Sequence, residues 1–337
     1  MIELAGIDAL FLASAAIILG IVLLVKGGDW TINGAVYVSE RLGVPHMVIG
    51  FTVVAFGTSL PELFVSVNAN LTGFPGISLG NVVGSNIANI LLVIGVTALI
   101  ATVHASAKDT LRDMVVMLLS TALLVGLMFY GFVDRWVGAV MFGALVAYVF
   151  YQYLLARRGR LEVEEVEEPE FSSMGLALLF LLLGLVLVTV GSEVLVRGAV
   201  LGATVLGVPE AVIGVTIIAF GTSLPELATC IAAAAKRHTD IIVGNIVGSN
   251  VFNILSIIGI TALVEPLHVD PSLGGIDMWV MVGSSVLFAL WLLRIGPITR
   301  LVGAVCVVAY CAFVVSQFGD VLSEWLFGGS AAAATSG

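Results

Sequence analysis

Apolar residues run almost unbroken along this chain and stop at short polar punctuation, without the sustained alternation of a half-buried strand. Such runs predict helices near residues 7–40, 46–70, 80–101, 112–130 and 135–156. A second set follows near 173–205, 209–234, 242–264, 275–294 and 297–317. Each run reaches the roughly 20 residues that a helix needs to cross the apolar layer of a bilayer. Gly27-Gly28 reads as an interruption of the long first helix. Between the sets lies "RRGRLEVEEVEEPEF", a charged linker with Pro169, and beyond the last run "GGSAAAATSG" is a low-complexity stretch. The expected organisation is a five-helix unit over 1–156, a linker over 157–172, a second five-helix unit over 173–320 and a flexible tail over 321–337.

The two sets are copies of one another. Glu62 and Glu226, Asn81 and Asn245, and Asn89 and Asn253 are each separated by 164 residues. The same offset pairs Gly27 with Gly191, Asp29 with Glu193, and Gly43-Val44-Pro45 with Gly207-Val208-Pro209. Residues 80–99 and 244–263 agree at 14 of 20 positions, too many for chance among apolar residues. An odd number of spans in each copy sends the second copy into the membrane with opposite orientation. With the N-terminus outside, the inner loops collect Arg41, Lys108, Arg112, Arg157, Arg158, Arg160, Lys236, Arg237, Arg294 and Arg300, whereas Arg135, Arg197 and Lys26 fall elsewhere. That bias follows the positive-inside rule. The expected fold is therefore an all-α polytopic membrane protein of ten transmembrane helices, arranged as two inverted five-helix repeats. Both termini are expected outside and the acidic linker in the cytoplasm.

Composition agrees: 60% of the 337 residues are hydrophobic and 11% charged, more apolar surface than a water-soluble core hides. The net charge of −10 argues against a nucleic-acid partner. The N-terminus carries Glu3 and Asp8 in place of a basic leader region and reads as the start of the first helix. Cys230, Cys306 and Cys311 stand alone in apolar runs and read as packing residues. His46, His104, His238 and His268 fall at loops or helix ends and make poor ligands.

Against this background, "AFGTSLPEL" occurs at 55–63 and again at 219–227. Pro61 has no N–H for the carbonyl of Gly57, so the helix is expected to kink and release backbone oxygens; Pro225 repeats this at Gly221. Helical spacing brings Thr58 and Ser59 to Glu62, at i, i+4 and i, i+3. Each copy thus gathers hydroxyls, carbonyls and a carboxylate, an all-oxygen set suited to a hard cation such as Ca2+ or Na+. In the next helix Asn81, Ser85 and Asn89 form one polar stripe, matched by Asn245, Ser249 and Asn253. Gly80 and Gly84, matched by Gly244 and Gly248, permit close helix approach. A glutamate at mid-membrane costs roughly 3 kcal/mol or more, so a symmetric pair points to function. If the copies face each other, Glu62 and Glu226 share a cavity, and one divalent cation cancels both charges. Asp29 and Glu193 read as helix-end stabilisers or as lining of an ion path.

"GTSLPE" with "GNVVGSNIANI", and the second "GTSLPE" with "GNIVGSNVFNI", resemble the two alpha repeats of the sodium/calcium exchanger family within the cation/calcium antiporters, in its compact prokaryotic form. The motifs span about 46–101 and 209–264. The resemblance implies a secondary antiporter, not an enzyme, that needs no cofactor and moves Ca2+ and Na+ through the lipid bilayer of the cell membrane. No obligatory protein partner is implied. It implies calcium ligation by Glu62 and Glu226 with Thr58 and Thr222, and sodium sites using Ser59, Ser85, Ser223, Ser249, Asn89, Asn253 and the carbonyls of Ala55 and Ala219. Family transport alternates access, with sodium entry commonly driving calcium out in unequal charge. Some relatives, potassium-dependent exchangers among them, carry aspartate where this chain has Asn253, which argues for potassium-independent exchange here. Calcium/proton exchange, potassium-dependent exchange and a passive cation channel are the alternatives.

Overall fold

The structure, a computed structural model, describes residues 2–104, 107–157, 171–206, 221–269 and 275–334. Side chains are described for 8–104, 110–156, 171–206, 221–269 and 275–317. The acidic stretch 162–170 and Ala219 lie outside the described residues, as does the start of the second motif.

The protein is helical almost throughout. Helix α1 spans Ile2–Leu42 and ends at Gly43, whose φ of +63° closes the helix in the left-handed conformation that glycine adopts without strain. Helices α2 (His46–Thr58) and α3 (Leu60–Leu71) meet at a 44° bend. They are followed by α4 (Pro75–Ile100), α5 (Ala107–Tyr130) and α6 (Arg135–Arg157). The second half comprises α7 (Met174–Val205), α8 (Leu224–Ala235), α9 (Thr239–Val264), α10 (Ile276–Ile295) and α11 (Arg300–Ala334). Among the described residues, eight helices are long and apolar enough to cross a membrane, or nine with the α2–α3 pair counted as one span. The shorter apolar helix α8 begins just after undescribed sequence.

Two expectations change. Gly27-Gly28 does not interrupt α1, which is one continuous helix. A Cβ on Gly27 would lie 2.8 Å from the Gly184 carbonyl oxygen, and one on Gly28 would lie 2.8 Å from that of Ala228. These glycines are there for close packing, which outweighs their helix cost of about 1 kcal/mol each. Residues 321–334 continue α11 where the composition suggested a flexible tail. Alanine has the lowest helix cost of any residue, and a helix already formed extends more readily than a new one starts.

Packing between the halves is reciprocal. Gly20 of α1 meets Gly191 and Leu195 of α7, Gly27 meets Gly184 and Val188, and Gly34 meets Ala177 and Leu181. Residue numbers rise along α1 as they fall along α7, so these two helices, 164 residues apart in register, pack antiparallel. Gly95 of α4 packs against Gly303 of α11, and Gly259 of α9 packs against Gly138 of α6. α4 is thus covered by α11, and α9 by α6. Short backbone links repeat the exchange: Phe132 and Val133 (β1) pair antiparallel with His268 and Leu267 (β2), and Val103 bridges Ile298.

The outer helices expose Phe11, Ile18, Leu119, Phe129, Leu287 and Leu301. α9 is buried along its whole apolar window, whereas α11 is almost uncovered. Apolar surface out and the motif helices in is the arrangement of a multi-pass membrane protein. Of the cysteines, Cys230 is buried in the core, Cys306 is half-buried and Cys311 is exposed on α11.

A second polar pair was not anticipated. Asp113, fully buried on α5, accepts from Gln152 Nε2 at 3.0 Å, from Arg112 Nε at 2.9 Å and from the Tyr148 hydroxyl. Its counterpart 164 residues on, Asp277, accepts from Gln317. The first pair pins α5 to α6, and the second pins α10 to α11.

Candidate cation site

The site is assembled at two helix breaks. Ser59, with φ −85° and ψ 5°, ends α2, and Pro61 stands in the first turn of α3. Ser223, with φ −86° and ψ 2°, and Pro225 repeat this before α8. Proline suits a helix start because its missing N–H has no partner to lose there. Both breaks place a glutamate in a helix first turn, Glu62 in α3 and Glu226 in α8. The unpaired N–H groups and positive end of the helix dipole favour a carboxylate at that place.

The hydroxyls depart from the spacing argument. A serine before a helix commonly caps its own first turn. Neither Ser59 nor Ser223 does so. Ser59 Oγ instead donates to Glu226 Oε1 at 3.2 Å, across the halves. Thr58 also reaches the Glu226 carboxylate, and its hydroxyl contacts the Ala55 carbonyl at 3.3 Å. The sequence grouped Thr58 and Ser59 with Glu62. The break turns them toward the other copy's glutamate, so the two carboxylates face one site and repel.

Almost every candidate is buried here. Glu62 and Glu226 are each 1% exposed, and Thr58, Ser59, Ser223, Ser85, Ser249, Asn89, Asn253 and Ala55 are likewise buried. Thr222 is half-buried. The motif helices cross: α3 packs on the π-helical turn Asn253–Ile258 of α9, and α8 packs on the π-helical turn Asn89–Val93 of α4. Both asparagines therefore start a widened turn, a geometry frequent at functional sites and invisible to apolar periodicity. Glu62 Oε2, Glu226 Oε2, Asn89 Oδ1, Asn253 Oδ1 and Ser249 Oγ are buried with no hydrogen-bond donor among the described residues. Buried oxygens are nearly always paired, so this concentration asks for cations.

The polar stripe is not uniformly aimed at the site. Asn81 Nδ2 donates to the Glu62 carbonyl at 3.2 Å and to Ser66 Oγ at 2.9 Å, tying α4 to α3. Asn245 Nδ2 does the same on α8, reaching Thr229 Oγ1 at 3.3 Å and Cys230 Sγ at 3.2 Å. Cys230 and Ser66 occupy equivalent positions at the 164-residue offset, a signal the sequence reading passed over. Gly244 lies against the Met47 carbonyl and Gly248 against that of Phe51, so α9 and α2 touch backbone to backbone. No described atom lies within 4 Å of a Cβ on Gly80 or Gly84. Their counterpart segment, 211–219, is outside the described residues.

Residues 12–154 and 176–319 match the sodium/calcium exchanger protein family. The chain belongs to the sodium/calcium exchanger family. Similar proteins include sodium/calcium exchanger MaX1 of Methanosarcina acetivorans, 33% identical over 340 residues, covering 90% of this chain and 97% of that one. Putative antiporter CaxA of Alkalimonas amylolytica is 34% identical over 314 residues, covering 90% and 98%. The fold matches the solved sodium-calcium exchanger NCX_Mj, soaked without Na+ and Ca2+, with a TM-score of 0.79, 31% identity and coverage of 91% of this chain and 99% of that one. This exchanger is accordingly a membrane transporter and not an enzyme.

Asn250 was not among the candidates. Its Oδ1 accepts Asn89 Nδ2 at 3.1 Å, which leaves the buried Asn89 oxygen as the atom without a donor. Asn250→Ala is expected to release the Asn89 amide and to raise the half-saturating cation concentration of transport several-fold, since a neutral hydrogen bond contributes about 0.5–1.5 kcal/mol. Unchanged half-saturation in radiotracer flux would show that Asn250 does not orient Asn89.

Proposed function

We propose that the protein is a secondary active antiporter that exchanges Na+ for Ca2+ across the cell membrane by alternating access, with sodium entry driving calcium out. The observation that carries this reading is the meeting of Glu62 and Glu226, buried in equivalent helix starts of the two halves, with one oxygen of each lacking a donor. The proposed ligands are these glutamates with Thr58, Thr222, Ser59, Ser223, Ser85, Ser249, Asn89 and Asn253 and the carbonyls of Ala55 and Ala219. Two carboxylates balance one Ca2+, and the same oxygens divided among Na+ ions balance two charges; any further sodium moves net charge across the membrane. Exchange then responds to voltage, by about 2.3 kcal/mol per charge per 100 mV.

The proposed topology is ten spans in two inverted five-helix repeats. The antiparallel contact of α1 and α7 supports it, because these helices are copies of each other. The tenth span is the segment 209–234, of which α8 forms the latter part. Lys and Arg concentrate on one side when both termini are placed outside and the central linker in the cytoplasm.

Purified protein in liposomes is expected to accumulate radioactive calcium against its gradient when an outward sodium gradient is imposed, and to do so faster with an inside-positive potential. Uphill uptake excludes a passive channel. Uptake driven by a proton or potassium gradient and not by sodium would replace sodium as the coupling ion. No uptake under any of the three gradients would end the exchanger reading.

A further inference from the structure

The two helix breaks are near copies in sequence, but their carbonyls are treated differently. Pro225 has no N–H to offer the Gly221 carbonyl, and that oxygen is instead met by the Ser192 hydroxyl of α7 at 2.7 Å. The proline-released carbonyl of Gly221 therefore already has one donor from protein. Ser192 is buried, and Val196, one turn on, packs onto Gly221. On α1, at the 164-residue offset, the position of Ser192 is held by Gly28, which has no hydroxyl and lies against the Ala228 carbonyl of α8. Gly57, the equivalent of Gly221, meets an apolar side chain of the same α7: a Cβ there would lie 2.6 Å from Leu185 Cδ1. A single helix thus touches both breaks, with an apolar contact at one and a hydrogen bond at the other.

We propose that Ser192 is a positioning residue for the second half of the cation site. Its hydroxyl holds the Gly221 carbonyl toward α7 and fixes the Gly221–Thr222 peptide, which leads directly into the candidate ligands Thr222 and Ser223. The two halves are then unequal by construction: the first break has no side-chain donor from α1 at its proline-released carbonyl, and the second keeps its carbonyl engaged by protein. Cations lean on the side chains of the second half and on backbone and side chains of the first. This inference rests on the assignment of the site to Glu62 and Glu226.

The test is calcium and sodium flux in liposomes at equal protein, with half-saturating concentrations measured separately from maximal rates. Ser192→Ala is expected to raise the half-saturating concentration by roughly tenfold, the worth of one lost buried hydrogen bond to a polar group. Ser192→Thr, which keeps the hydroxyl, is expected to restore it. Unchanged half-saturation in Ser192→Ala, whether or not the maximal rate falls, overturns the proposal, as does a rise that Ser192→Thr fails to reverse. Glu226→Gln run alongside separates the two levels. If it transports like wild type, the site assignment itself fails; if it is inactive while Ser192→Ala is normal, only the role of Ser192 is lost.

Discussion

Glu62→Gln and Glu226→Gln are each expected to abolish calcium transport in liposomes while leaving the folded protein intact. Glutamine keeps the shape of glutamate and can still offer an oxygen, so the substitution removes charge and little else. Both carboxylates are 1% exposed, where water cannot make up the lost charge. A unit charge about 4 Å from a cation contributes about 4 kcal/mol at the effective dielectric of a protein interior, which is nearly three powers of ten in affinity. Calcium, with two charges to compensate, loses at least that much. Sodium binding is expected to fall less, because one remaining carboxylate still balances one monovalent ion. Calcium-45 uptake checks the first statement, and calorimetric titration with each ion checks the second. Wild-type calcium uptake by either variant would falsify the assignment of the site.

The second large effect concerns packing. Gly248→Ala is expected to destabilise the exchanger by about 3 kcal/mol or more, because the new methyl falls against the backbone carbonyl of Phe51 as well as the Ala55 side chain. Backbone cannot swing aside as a flexible side chain can, so α9 must move away from α2. That movement displaces Ser249 and Asn253 from α2 and Ala55, and transport is expected to fall with stability. Gly143→Ala is the control, since no described atom lies within 4 Å of its Cβ position. Thermal unfolding in detergent is expected to drop by several degrees for Gly248→Ala and to stay within about one degree for Gly143→Ala. Equal melting of the two variants would show that the α2–α9 contact carries no stability.

Much of the site was legible in the chain because membrane chemistry makes polar residues conspicuous. Glu62 and Glu226 stand out since a carboxylate is costly in an apolar layer, and the 164-residue offset identified them as a pair before any contact was seen. Burial of Ser85, Asn89 and their counterparts followed from the same logic. Orientation was less legible. Helical spacing put Ser59 beside Glu62, but the proline break ended the helix there, and the hydroxyl crossed to Glu226. Asn250 escaped notice because it is one of several amides in an apolar run, and only the crossing of α4 with α9 makes it the partner of Asn89. Ser192 was missed because one serine in a long apolar helix has no local feature to mark it, and its acceptor lies 29 residues away.

The chain by itself determined the membrane-spanning character, the helical fold, the duplication and the identity of the two acidic residues. Each follows from a local quantity: run length, apolar content, fixed offset, or the cost of a charge. The tertiary structure alone decided which oxygens meet. Pairing across the halves depends on the angle at each proline break, on backbone contact at Gly244 and Gly248, and on the antiparallel seating of α7 against α1. Such contacts arise from three-dimensional packing between segments far apart in sequence, and no residue spacing within one helix encodes them.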